Sequence, residues 1–162
     1  MTDRQSKQGV NALLALIESA GGMSDIDTLC TMLYLADQRH LSLYGRSITG
    51  DTYIARKWGA EPTVLSGMAS AMTIQNSIVS TTAKPDMAEL SVTDIECLEY
   101  AADLCRNASR ERLRELSHGK AWSNTPEGSE ISVKDMLLEA GDEAEYAEYI
   151  EQQTKAASAL TR

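Results

Sequence analysis

No phenylalanine occurs in this chain of 162 residues, and two tryptophans and six tyrosines supply all of its aromatic rings. Long apolar runs are also missing. Stretches such as Met32-Leu33-Tyr34-Leu35-Ala36 end after five residues, far short of the roughly 18 that a membrane-spanning helix needs. The polar start, Met1-Thr2-Asp3-Arg4-Gln5-Ser6-Lys7, lacks the apolar stretch and small-residue cleavage site of a secretory signal. Export and membrane insertion are therefore not expected. Cys30, Cys97 and Cys105 are odd in number and include no C-x-x-C pair, so neither a disulfide framework nor a zinc knuckle is encoded. A reducing cytoplasm fits that usage. Positive charge is scarce: 15 Lys and Arg stand against 24 Asp and Glu, a net charge of -9. This balance argues against nucleic acid as the main partner, because phosphate binding wants a basic field.

The familiar catalytic templates are missing too. Gly21-Gly22 has no preceding strand and no Lys-Ser/Thr, so it is no phosphate loop. Neither G-x-S-x-G nor H-E-x-x-H appears, and two histidines leave few members for a triad or a His-rich metal site. One ionisable cluster bears testing. Asp37 and His40 stand i, i+3 on one helix, and His118 folded close to them would make a carboxylate–imidazole site. The plainer reading is that Asp37 and His40 hydrogen-bond a neighbouring loop and that His118 is a partly buried cap. No cofactor is expected.

What is present is helical periodicity. Val10, Leu13, Leu14 and Ile17 form an i, i+3, i+4, i+7 stripe that ends at Gly21-Gly22. Ser24-x-x-Asp27 reads as the capping start of a second helix, apolar on two faces and ending at Gly45. Such a helix belongs at the centre of its fold. Thr52–Arg56 reads as a short extended segment. Pro62 is expected to open a third helix through Val64, Leu65, Met68, Met72 and Ile74. The β-branched stretch 77–84 and the turn Pro85-Asp86 suggest a strand returning through Met87–Leu90. Ser91-x-x-Asp94, Ser109 and Ser132-x-x-Asp135 mark three further helix starts. The expected fold is mainly α (α+β): a single compact helical domain, residues 1–162, around a central buried helix with a small antiparallel β element.

Two surfaces stand out. Trp58 follows Arg56-Lys57, and Trp122 ends Ser117-His118-Gly119-Lys120-Ala121-Trp122; as core fillers these rings need no function, while a tryptophan beside Arg and Lys on a loop suits protein contact. The segment 106–120 is locally basic, whereas the helix-prone segment 127–157 is strongly acidic, with Tyr146, Tyr149 and Ile150 as its large apolar anchors from residue 143 on. An acidic run is ordinarily a solvated face, and it also steers basic partners.

The segments Met32-Leu33-Tyr34-Leu35-Ala36-Asp37-Gln38-Arg39-His40 and Leu43-Tyr44-Gly45-Arg46-Ser47-Ile48-Thr49-Gly50-Asp51-Thr52-Tyr53-Ile54-Ala55 resemble the signature of the Panacea domain, the family of SocA-like antitoxins and GepA-type phage-associated proteins. Leu116-Ser117-His118 with Ala121-Trp122 matches its second landmark, so the likeness covers residues 24–122. One departure is Gly59-Ala60-Glu61-Pro62, where the family usually reads Gly-Pro-Val-Pro; Glu61 is then readable as a helix cap before Pro62.

The resemblance implies a cytoplasmic bacterial antitoxin, often carried by prophages, that neutralises a cognate protein toxin by direct binding and is not an enzyme. It implies a toxin encoded by the adjacent gene. A degradation adaptor that delivers the toxin to an AAA+ protease is the alternative, and a hydrolase or metal enzyme using Asp37, His40 and His118 is a distant one. The residues expected to touch a toxin are Tyr53, Arg56, Trp58, Glu61, Tyr146 and Tyr149. Those expected to hold the signature together are Tyr34, Asp37, His40, Tyr44, Gly45, Arg46, Thr49, Gly50, Asp51, His118 and Trp122.

Overall fold

In the computed structural model, which describes residues 3–67 and 72–160, the first apolar stripe lies on helix α1 (Asp3–Ser19). Leu13, Leu16 and Ile17 are buried. Gly21 and Gly22 end the helix with φ of 89° and 99°, a left-handed backbone that glycine adopts without a Cβ clash. Strand β1 (Met23–Asp25) follows directly. The cap of the next helix falls one residue later than the Ser24 expected: Ser24 sits within β1 opposite Val79, and the Asp25 carboxylate accepts from the Asp27 amide at 2.8 Å.

Helix α2 (Ile26–Tyr44) is the hub. Twelve of its residues are buried, and it packs against α1 and against elements contributed from later in the chain. Gly45, at φ 77°, terminates it with its amide on Leu41 O. A hairpin comes next, β2 (Tyr53–Arg56) and β3 (Gly59–Pro62), in the register Tyr53↔Pro62 to Arg56↔Gly59. The helix expected from Pro62 is therefore corrected. Pro62 ends a strand, a position that tolerates its missing N–H. Val64 and Leu65 lie in a short 3-10 turn (Thr63–Gly67), and Met68 lies outside the described residues. Ile74 belongs to strand β4 (Thr73–Gln75).

The partner strand expected at Met87–Leu90 is also corrected. Strand β5 (Ile78–Ser80) pairs with β1 on one side and β4 on the other, so both of its edges are occupied. Asn76 and Ser77, both at positive φ (54° and 66°), make the two-residue turn that joins β4 to β5. Met87–Glu89 is a 3-10 turn capped by the Asp86 carboxylate.

Four helices complete the order up to the last: α3 (Val92–Arg106), α4 (Arg110–Ser117), α5 (Lys120–Ser123) and α6 (Val133–Glu139), followed by α7 (Ala144–Leu160). Ser91 and Asp94 form a reciprocal capping box on α3, and Ser109 and Ser132 cap α4 and α6. Cys97 and Cys105 are buried on one face of α3, as free thiols. Residues 128–131 run beside β2: Ala55 N donates to Ser129 O at 2.9 Å, and Ile131 N donates to Tyr53 O at 2.8 Å. Met136, Leu137, Ala147 and Ile150 carry the core into the C-terminal helices.

Candidate functional site

Asp37 lies fully buried on α2, and the loop after Gly45 closes onto it. Oδ1 accepts from the amides of Ile48 (2.8 Å) and Thr49 (3.2 Å). Oδ2 accepts from Thr49 Oγ1 (2.7 Å) and from the Tyr53 hydroxyl (2.6 Å). Burial pushes the Asp37 carboxyl up to about 6, while the hydroxyls of Tyr53 and Thr49 and the two amides pull it back. As a carboxylate it is acceptor-only and takes all four donors at once. Tyr53 is 2% exposed and packs edge-on against Tyr34 at 5.4 Å between ring centroids. Both the ring and the hydroxyl of Tyr53, a residue expected to touch a toxin, are thus engaged inside the protein.

His40, one turn further along α2, faces another element. Its Nδ1 donates to Arg46 O at 2.6 Å, and its Nε2 faces Thr93 Oγ1 at 2.8 Å, with Asp94 Oδ1 at 3.3 Å. Burial lowers the basicity of His40, which favours the neutral ring, in which the Thr93 hydroxyl donates to Nε2. Tyr44 leans on the His40 ring at 4.8 Å. The Arg46 guanidinium reaches Asp94 and the Ser91 hydroxyl, each at 3.4 Å. Gly50 turns at φ 69°, and the Asp51 carboxylate takes the Thr63 hydroxyl and the Val64 amide. The signature loop is thus tied to α2, to the start of α3 and to the turn after β3.

The second landmark meets the first at the hairpin tip. His118 Nε2 donates to Lys57 O at 2.9 Å, and Trp122 Nε1 donates to Arg56 O at 2.6 Å. The two rings pack edge to face at 4.5 Å. Gly59 sits so close that a Cβ there would stand 3.0 Å from Ser117 O, and its φ is +132°; both demand glycine. Trp58 is half-buried against the core, whereas Arg56 and Lys57 are exposed. Glu61 is no helix cap: it lies in β3 and accepts from Arg56 Nε at 2.7 Å. Asp37, His40 and His118, considered together as a catalytic cluster, each have separate partners here, on the loop, on α3 and on the hairpin respectively.

Glu139 was hidden in the acidic run. Its Oε1 accepts from Tyr34 OH and Gln38 Nε2, both at 2.9 Å, and its Oε2 accepts from the Ala121 amide at 2.9 Å. A Cβ at Gly119 would stand 2.2 Å from that oxygen. The sequence signals for it were Tyr34 and Gln38, polar groups on a buried helix that need partners. Tyr146 is half-buried, its hydroxyl on the carbonyls of Leu41 (3.2 Å) and Ser42 (3.0 Å), so it fastens α7 to the end of α2. Tyr149, by contrast, is 58% exposed.

Among the described residues no helix is long and apolar enough to cross a membrane. Searches of curated proteins and of solved structures find no match. The family model described as antitoxin SocA-like, Panacea domain matches residues 29–123, which is the stretch from the first turn of α2 through α5 that builds the loop anchor and the hairpin clamp. With more than half of its length matched, the chain belongs to the SocA-like antitoxin family of Panacea domains.

Proposed function

We propose that this protein is an antitoxin that binds a cognate protein toxin, encoded by the adjacent gene, and neutralises it by direct contact. The observation that carries this reading is the convergence of both signature blocks on one exposed feature. Asp37 locks the start of β2 through Tyr53, and His118 and Trp122 hold the carbonyls of Lys57 and Arg56. The result is a fixed backbone presenting Arg56, Lys57 and half of Trp58. Arginine and tryptophan on preorganised backbone are the residue types that dominate protein interfaces. Tyr149 on α7 is a second contact, and Glu61 sets the position of Arg56. Such binding makes the protein a stoichiometric inhibitor working in the cytoplasm, with no turnover of a small molecule.

The test is co-expression with the neighbouring gene product in a bacterial host, with a tag on this chain. Growth arrest relieved by this protein, together with a co-purifying complex, supports the reading. Arg56→Ala combined with Lys57→Ala, both exposed, should then weaken the complex while leaving the melting temperature near that of the native protein. Relief without a complex, with the neighbour disappearing in cells that carry an intact AAA+ protease, supports delivery for degradation instead. A harmless, non-binding neighbour overturns both.

A further inference from the structure

Charge is unevenly spread on this acidic chain. Arg110, Arg112 and Arg114 are exposed on α4. The contacts of His118 with Lys57 and of Gly59 with Ser117 bring the hairpin tip against the end of that helix, and Lys120 opens α5 one residue beyond His118 and Gly119. Six exposed cations therefore lie on neighbouring segments: Arg56 and Lys57 at the hairpin tip, Arg110, Arg112 and Arg114 on α4, and Lys120 at the start of α5. On α4, Arg110 and Arg114 share one side and Arg112 points nearly the opposite way. Arg112 is paired with Glu115 and Arg56 with Glu61. Among the described residues, Lys57, Arg110, Arg114 and Lys120 have no carboxylate within 4.0 Å.

Two of these cations are also placed against local physics. Arg110 is the first residue of α4, where the positive end of the helix dipole disfavours a cation. Arg110 and Arg114 stand i, i+4, a spacing at which like charges repel. An arrangement that costs the free protein gains when carboxylates arrive from outside. We propose that α4, the hairpin tip and the start of α5 form the docking face for an acidic surface patch of the partner protein. This deepens the toxin-binding reading and rests on it. A cleft of about 360 Å³, lined by Arg56, Lys57, Trp122 and Glu127 among others, lies at the hairpin side of this face and accepts an inserted side chain. Glu61, Glu111, Glu115 and Glu127 are interspersed with the cations. They interrupt any continuous phosphate track, yet leave room for the separated carboxylates of a folded protein.

The experiment uses the full chain and a fourfold variant, Lys57→Glu, Arg110→Glu, Arg114→Glu and Lys120→Glu, with the purified product of the adjacent gene as the probe. Affinity is measured at 50 and 500 mM NaCl, and folding is followed by circular dichroism. The native protein should lose about tenfold in affinity across that salt range, and the variant should bind about 100-fold more weakly with a flatter salt dependence. Asp or Glu to Lys changes on the toxin should restore binding to the variant. Should the fourfold variant not fold, Arg110→Gln with Arg114→Gln is expected to show the same trend at smaller size. Equal affinity and salt dependence of native and variant protein would sink the docking face while leaving toxin binding intact. Binding of a DNA duplex through these cations, with toxin affinity unchanged, would overturn it in favour of nucleic acid. A native protein that neither binds nor neutralises the neighbour overturns the antitoxin reading itself.

Discussion

Asp37 shows how one side chain organises the signature. Its two oxygens serve unequal donors: Oδ1 takes two backbone amides, which cannot turn away, and Oδ2 takes two hydroxyls, which can. Asp37→Ala should cost about 3–5 kcal/mol, because four buried donors lose their acceptor. Asp37→Asn should cost clearly less. Its carbonyl oxygen can face the amides of Ile48 and Thr49, and its NH2 can donate to the hydroxyl oxygens of Thr49 and Tyr53. Chemical denaturation of the two variants decides this, and equal penalties would refute the division of labour. The pH dependence follows from the same burial. The folded carboxyl, at about 6, lies above the ordinary 3.8, so the folded state holds the proton more tightly than the unfolded one. That contribution to stability is complete below about pH 4 and is lost as pH rises through 6, by up to roughly 3 kcal/mol. The penalty of Asp37→Asn relative to the native protein should therefore shrink between pH 4 and pH 7. A penalty that grows over this range would contradict the direction of the shift.

At the scale of elements, the hairpin depends on a contact that no residue within it makes alone. Gly59 combines a left-handed backbone with the close approach of Ser117. Gly59→Ala should destabilise the protein by about 1–3 kcal/mol. It should also increase amide exchange at Lys57 and Trp58, since the strand end must move away from α4. Unchanged exchange with unchanged stability would show that the tip is held without this packing. Much of the element plan was legible. The Ser91–Asp94 box, the Ser109 and Ser132 caps and the stop at Gly45 each rest on interactions within a few residues. The β4–β5 turn was not, because Asn76-Ser77 lacks the glycine that announces such turns and the apolar spacing of Val64, Leu65, Met68 and Met72 imitates a helix.

On the scale of the whole molecule, the C-terminal helices lie mostly beyond the matched family region but not outside its structure. Residues 128–131 pair with β2, Glu139 ties α2 to α5, and Tyr146 fastens α7 to the end of α2. Ending the chain after Pro126 should therefore expose α2 and leave the Gln38 amide and Tyr34 hydroxyl without an acceptor. The shortened protein should lose cooperative thermal unfolding. A sharp transition near the native melting temperature would show that residues 127–160 are an independent appendage.

From sequence alone came the helical class, the central place of α2, the family likeness and the tie between the signature loop and Asp37. These are written in local periodicity, in capping patterns and in a long contiguous motif. Tertiary structure decided the rest. It placed Tyr53 inside and left Arg56 and Lys57 outside, made His118 and Trp122 the clamp of the hairpin, and found in Glu139 a carboxylate with partners about 20 and 100 residues away. It also brought exposed cations of three separate segments onto neighbouring elements. Charges distant in sequence act together when folding brings their backbones side by side, and no spacing along the chain records that distance.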